Sequence, residues 1–299
     1  MFRFYCYVKY PFFALFLNLF ILMPSSVQAN FISKFFKQTL PNLLAPRMDL
    51  WKKWSETNAL DIKTISHKKW GNFLKKYMFE NHNSGIGRFN YSSVEKKDFE
   101  TLKNYVNDLA SLKITHYNRK EQKAYWINLY NALTVKLILE HYPLKSIRDI
   151  KIKQNHASFG PWDAKLIKIE GAALSLNDIE HRILRPITKD PLVHYALNCA
   201  SLGCPMLRKK QFTSKNMKEL LEDSAIKFIN HKRAVENKKG ELHVSSIYIW
   251  FKSDFGKSDG DLMNHLKKYS KGSLKIFLNN YNSGIFGHSY NWRLNDSKK

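Results

Sequence analysis

The residues with the clearest chemical capacity lie in one stretch, Asp190-Pro-Leu-Val-His-Tyr-Ala-Leu-Asn-Cys-Ala-Ser-Leu-Gly-Cys-Pro205, which holds His194, Cys199 and Cys204. A thiolate attacks a carbonyl carbon once a base has taken its proton. Cys199 with His181 or His194 as that base is therefore the constellation of a cysteine-dependent hydrolase or acyl transferase. Cys204 is the alternative nucleophile, because Pro205 suits the first turn of a helix and would put Cys204 near a helix N-terminus, where a thiolate is stabilised. Backbone N–H groups between Cys199 and Cys204, aimed by the turn at Gly203, are the expected oxyanion site. Two blander readings stand beside these. Cys199 could be an inert buried thiol, or the two cysteines could pair as a disulfide, which export favours and the short turn permits. Zinc is disfavoured because Cys-x4-Cys is an unusual spacing without a matching second pair, so no metal or other cofactor is expected.

Three further polar residues sit where a core is expected. The segment Ser175-Leu-Asn-Asp178 reads as a helix start with an acidic third position, opening a helix from Leu176 to Leu184 whose apolar face (Leu176, Ile179, Ile183, Leu184) includes Glu180. A carboxylate there is either ion-paired, with Arg182 or Arg185 as nearby candidates, or a perturbed functional group that orients an imidazole. Asn128 and Asn131, three residues apart, fall on the same face as Ala124, Ile127, Val135 and Ile138. A buried amide must be hydrogen-bonded, so the pair either clamps a neighbouring loop or serves a site, Asn128 then being a second candidate to orient the base.

Those residues need elements to hold them. A long helix is predicted from about Glu121 to His141, apolar nearly all round and stopped by Pro143. Trp51, Trp54, Trp70, Phe73, Leu74 and Tyr77 suggest two short amphipathic helices, the run Asn81 to Gly87 is a break, and helical periodicity resumes at Val94. Alternation predicts strands at Asp149–Lys153 and Lys165–Glu170, and a third across Pro191–Ala200. Helices are expected again near 215–231, 246–252 and 261–269. No internal repeat is visible, so the expectation is a helix-rich single α+β domain with a small antiparallel sheet, over residues 51–295.

Ahead of that domain, residues 1–29 carry Arg3 and Lys9, an apolar run from Phe12 to Met23, and small residues before Ala29, the pattern of a cleaved signal peptide. The apolar run is short of a membrane span, so no transmembrane span is expected after processing, and the mature chain is placed in the periplasm or outside the cell. Residues 30–50 form an N-terminal amphipathic segment, with Ile32, Phe35, Phe36 and Leu40 at helical spacing. With 49 Lys and Arg against 25 Asp and Glu, the formal charge is +24. In an exported protein that charge suits an anionic envelope component, lipid or polysaccharide, better than nucleic acid, for which no reader motif is present. A merely solvated lysine-rich surface is the competing account. Disorder and disulfide-dense scaffolds are excluded by 44% hydrophobic residues and three cysteines.

Four blocks resemble the domain of unknown function 547 family: 124–133 (Ala-Tyr-Trp-Ile-Asn-Leu-Tyr-Asn-Ala-Leu), 174–185 (Leu-Ser-Leu-Asn-Asp-Ile-Glu-His-Arg-Ile-Leu-Arg), 190–205 as quoted above, and 246–256 (Ser-Ile-Tyr-Ile-Trp-Phe-Lys-Ser-Asp-Phe-Gly). The resemblance runs from about Trp51 to Asn295. It implies positions and no activity: the Asn pair, the Glu-His pair, the His before the first Cys, and Cys-x4-Cys-Pro. At Leu192 the chain departs from the pattern, which has Arg after Asp-Pro. Relatives in plants and animals look intracellular, which turns the expectation from an obligatory disulfide toward a thiol or polar site. The function expected is thus an uncharacterised exported basic protein, either a cysteine-dependent enzyme or a non-catalytic binding or scaffold module.

Overall fold

The computed structural model describes residues 48–152 and 160–298. The expected signal peptide, most of the amphipathic N-terminal segment and Lys153 lie outside them. After a 3-10 turn at Lys52–Ser55 come α1 (Lys68–Tyr77), the strand pair β1 (Met78–Phe79) and β2 (Arg88–Phe89), α2 (Lys96–Ala110) and α3 (Arg119–His141). The hairpin β3 (Ile167–Ile169) and β4 (Ala172–Leu174) leads into a π-helical segment, Asp178–Leu184, which continues as α4 (Arg185–Thr188). Then follow α5 (Met217–Ile229), β5 (Val235–Lys238), β6 (Glu241–Ser245), α6 (Ile247–Trp250), α7 (Lys252–Phe255), α8 (Asp259–Tyr269), α9 (Gly272–Asn280) and β7 (Gly287–Ser289). The helix-rich α+β class stands, but the sheet is three small ones, and β7 joins β6 in parallel.

Local chemistry accounts for the boundaries. The Asn118 side chain accepts from the Lys120 and Glu121 amides and so starts α3, which has no polar face to offer water: residues from Glu121 to Ile138 are buried almost without interruption. Around α3 lies the larger core, in which Trp54 meets Trp126 edge-on at 5.1 Å and α2 contributes Leu102, Tyr105, Val106 and Leu109. A second core, with Tyr195, Leu242, Tyr248, Phe255 and Leu266, lies under the C-terminal elements. Helix α5 belongs to both, giving Leu220 and Leu221 to the first and Phe228 and Ile229 to the second.

Two predicted strands are corrected. Over 149–152 no strand forms, because Ser146 and Asp149 close a reciprocal cap that sets a 3-10 turn at Ile147–Asp149. Over 191–200 the chain makes a 3-10 turn at Pro191–Tyr195, started by Pro191 and by Asp190 accepting from the Leu192 amide, and then irregular backbone. The helix at Leu176–Leu184 exists with its predicted Ser175/Asp178 reciprocal cap, but most of it is wound as π-helix, and the Arg185 amide reaches back to the Glu180 carbonyl. The 246–252 helix is broken into α6 and α7, whereas β5, β6, β7 and α9 had no predicted counterpart.

Candidate active site

The irregular segment 196–204 is held from both sides. From α3, the Asn131 amide donates to the Ala196 carbonyl at 2.8 Å and accepts from the Asn198 amide at 2.9 Å. From the other side, the C-terminal tail bonds it through its backbone: Leu202 N to Arg293 O, Gly203 N to Asn291 O, and Asn295 N to Ala200 O. Gly203 is needed for that approach, since a Cβ there would sit 2.7 Å from the Asn291 nitrogen. Between these anchors Ala200 is forced to φ 58°, a left-handed conformation that costs an alanine roughly 1–2 kcal/mol and turns the chain just after Cys199.

The turn leaves Cys199 half-buried at the wall of a cavity of about 720 Å³. Glu180, His181, His194 and Cys204 line the same cavity, with Trp250, Phe251 and Trp292 as its apolar walls. Cys199 Sγ lies 3.1 Å from Cys204 Sγ, 3.0 Å from the Tyr290 hydroxyl and 3.3 Å from Ser201 Oγ. Ser201 donates to the Tyr290 oxygen at 2.9 Å, which directs the phenol proton at sulfur. Hydrogen bonding with Cys204, and with the Ser201 and Tyr290 hydroxyls, holds the Cys199 thiol below its ordinary range despite burial and the nearby Glu180 charge. Burial, together with that same bond, pushes Cys204 well above the ordinary thiol range.

A second assembly faces the cavity. His194 Nε2 lies 2.7 Å from Asp254 Oδ2, and Arg185 grips the same carboxylate with two bonds of 2.6 and 2.9 Å. Although burial opposes it, hydrogen bonding from His194 and Arg185 holds the Asp254 carboxyl well below the carboxylate range. The His194 ring is fixed by stacking on Phe251, with centroids 4.3 Å apart, and its Nδ1 stands 3.8 Å from Glu180 Oε1. His181 is constrained differently. Arg185 Nη1 lies 3.1 Å from His181 Nδ1, and a guanidinium only donates, so the ring proton belongs on Nε2. Burial, opposed by Glu180 and aided by Arg185, brings the His181 pKa down to about 4.

Glu180, His181, His194, Cys199 and Cys204 are thus brought together, while the Asn pair is not at the cavity. The Asn128 amide is consumed by the Phe212 backbone, donating to its carbonyl at 2.7 Å and accepting from its amide at 3.1 Å, and cannot orient an imidazole. The arginines named as candidates for Glu180 engage other carboxylates: Arg182 bonds Asp49 and Asp178, and Arg185 bonds Asp254. No helix begins at Pro205, so Cys204 has no helix N-terminus beside it. Of the backbone amides expected to form an oxyanion site, those of Cys199, Ala200, Leu202, Gly203 and Cys204 are bonded within the protein. The hydrogen-bonding neighbours of Cys199 Sγ among the described residues are Cys204, Ser201 and Tyr290, not a histidine. Asp254 and Tyr290 escaped the sequence reading. Asp254 had a signal, as the one acidic residue between Glu241 and Asp259 in an apolar, aromatic block. Tyr290 had none, since only the fold brings the tail to Cys199.

Residues 114–229 match the family model described as protein of unknown function, DUF547. Over this stretch the chain is similar to the DUF547 family. No curated protein and no solved structure matches the chain. The DUF547 segment contains the Asn pair, Glu180, His181, Arg185, His194 and both thiols. Asp254 and Tyr290, which complete the two assemblies, come from beyond it. Among the described residues no group of three or more His, Cys, Asp or Glu is placed to hold a metal ion, and no helix is long and apolar enough to cross a membrane.

Proposed function

We propose that this cavity is the active site of a cysteine-dependent hydrolase or acyl transferase, acting in the cell envelope after export. The observation that carries the reading is Cys199 itself. Cys199 lines the cavity, has hydrogen-bonding neighbours that hold its thiol below the ordinary range, and shares the cavity with a histidine buttressed by a carboxylate. The roles follow from what each group can still do. Cys199 Sγ attacks the carbonyl carbon of an ester, thioester or amide. The oxyanion is met by the Nε2–H of His181, a neutral imidazole held in that tautomer by Arg185. His194, oriented by Asp254, protonates the leaving group and later takes the proton from water or from the acyl acceptor. Glu180 Oε1 faces the remaining ring nitrogen and positions it.

The test is alkylation of the reduced, folded protein with iodoacetamide across a pH series, read by mass spectrometry at each thiol, followed by an activated ester such as p-nitrophenyl acetate. Cys199 should label well below the usual thiol pKa of about 8.5 and should be the residue acylated by the ester, whereas Cys204 should remain unlabelled until denaturant is added. A Cys199 that labels only above that pH, or a Cys199→Ser variant that still becomes acylated at the cavity, would overturn the reading.

A further inference from the structure

Cys204 has no part in the acyl chemistry proposed above, yet it sits 3.1 Å from the nucleophile. Both cysteines are free thiols. Two sulfurs in contact at the wall of one cavity, one half-buried and the other buried, are the arrangement in which the more accessible thiol attacks a disulfide and the less accessible one resolves the product. We infer that Cys199 and Cys204 form a reversible dithiol–disulfide couple that exchanges with small disulfides entering the cavity, with Cys204 as the resolving thiol.

The steps balance without any other oxidant. The Cys199 thiolate attacks one sulfur of the incoming disulfide, forming a mixed disulfide at Cys199 and releasing one thiolate. Cys204 then gives up its proton to that thiolate through solvent and attacks Cys199 Sγ. An S–S bond forms between Cys199 and Cys204, and the second half of the incoming disulfide leaves as a thiolate that is protonated by water. Two protein thiols are oxidised and one disulfide is reduced to two thiols. The surroundings suit this division. The Tyr290 and Ser201 hydroxyls lie 3.0 and 3.3 Å from Cys199 Sγ, so the more accessible sulfur is the stabilised thiolate. Cys204 accepts from the Cys199 amide at 3.1 Å, which fixes its sulfur against that of Cys199. Only a movement of about 1 Å separates the two sulfurs from bonding distance, taken as about 2.05 Å, and the left-handed Ala200 between them already bends the chain back on itself.

The inference rests on the reactivity of Cys199 but not on acyl transfer, and the experiment separates the two. The reduced protein is incubated with 2-hydroxyethyl disulfide, quenched with acid, alkylated and weighed intact. The wild type should lose the mass of two hydrogens, take up no alkyl group at Cys199 or Cys204, and recover both thiols with dithiothreitol. Cys204→Ser should stop at a mixed mercaptoethanol disulfide on Cys199. In the oxidised wild type the acylation by p-nitrophenyl acetate should vanish and return on reduction. A wild type that accumulates the mixed disulfide as Cys204→Ser does, or that stays reduced while Cys199 still acylates, overturns the couple and leaves the acyl reading standing. A protein that closes the disulfide but never acylates overturns the acyl reading and leaves the couple.

Discussion

The two amides of α3 that resemble site residues in the sequence give the sharpest test of what holds the cavity open. Asn128 and Asn131 each make two hydrogen bonds to the backbone of a distant segment, and both residues are essentially inaccessible. Replacing either by alanine leaves one buried carbonyl and one buried N–H without a partner, each costing roughly 1–3 kcal/mol, so both variants should lose about 2–6 kcal/mol of stability. The assay is urea unfolding at neutral pH, where the midpoint should fall with little change in the m-value. The variants should then diverge. Asn131 holds Ala196 and Asn198, directly before Cys199, so Asn131→Ala should slow alkylation of Cys199 by about tenfold or more, a shift worth about 1.4 kcal/mol in thiolate stabilisation. Asn128 holds Phe212, away from the cavity, and Asn128→Ala should leave the rate within about twofold under conditions where it is fully folded. A stable Asn128→Ala variant with an unreactive Cys199 would refute the reasoning, because it would put the amide in the chemistry and not in the clamp.

Other perturbations address the second assembly and the sulfur. Asp254→Asn removes the charge partner of Arg185, a nearly inaccessible cation, and should cost about 3–5 kcal/mol in urea unfolding, with ester turnover falling roughly 10²–10⁴-fold as His194 loses its orientation; an unchanged midpoint would show that Arg185 finds another partner. Because its carboxyl is depressed in the fold, Asp254 contributes stability that is present above the ordinary Asp value of about 3.9 and is lost as the pH falls through and below it. His67 and His181 act in a different window: both are lowered to about 4, so between there and about 6.5 the unfolded chain binds more protons, and stability should decline on acidification by up to about 1.4 kcal/mol per pH unit for each; a flat pH profile of urea midpoints from pH 7 to 5 would contradict it. Tyr290→Phe should move the pH midpoint of Cys199 alkylation upward, while His194→Ala should leave that midpoint unmoved yet abolish turnover, both read by the mass-spectrometric series.

Much of this architecture is legible in the sequence because it depends on local chemistry. Asn118 and the unbroken apolar run specify α3, Ser175 and Asp178 specify the start of the next helix, and the failure of Asn128, Asn131 and Glu180 to fit an apolar face correctly marks them as residues with partners. What stays hidden depends on distance along the chain or on departure from ideal periods. The 3.6-residue period places Glu180 against Leu176, but the segment is π-wound, which changes the neighbours of Glu180, His181 and Arg185. Alternation across 191–200 suggests a strand, yet Asp190 and Pro191 set a turn and Asn131 supplies the hydrogen bonds a sheet would have offered. Tyr290 reaches Cys199 only because the tail threads beside residues 200–203.

The separation of the sulfur from the imidazole has a mechanistic consequence. Where a thiolate is stabilised by an adjacent imidazolium, removing the histidine removes both the nucleophile and the acid. Here the hydrogen-bonding neighbours of Cys199 are a thiol and hydroxyls, all neutral, so the thiolate does not depend on the protonation of His194. The Asp254–Arg185–His194 assembly is left to deliver and collect a proton across the cavity, and His181, deprived of its basic nitrogen by Arg185, can only donate. The same arrangement explains why a second cysteine sits at the site. The Cys199 sulfur has its resolving partner already in contact at 3.1 Å, so the thiol that hydrogen-bonds the nucleophile is also the one that can close over it.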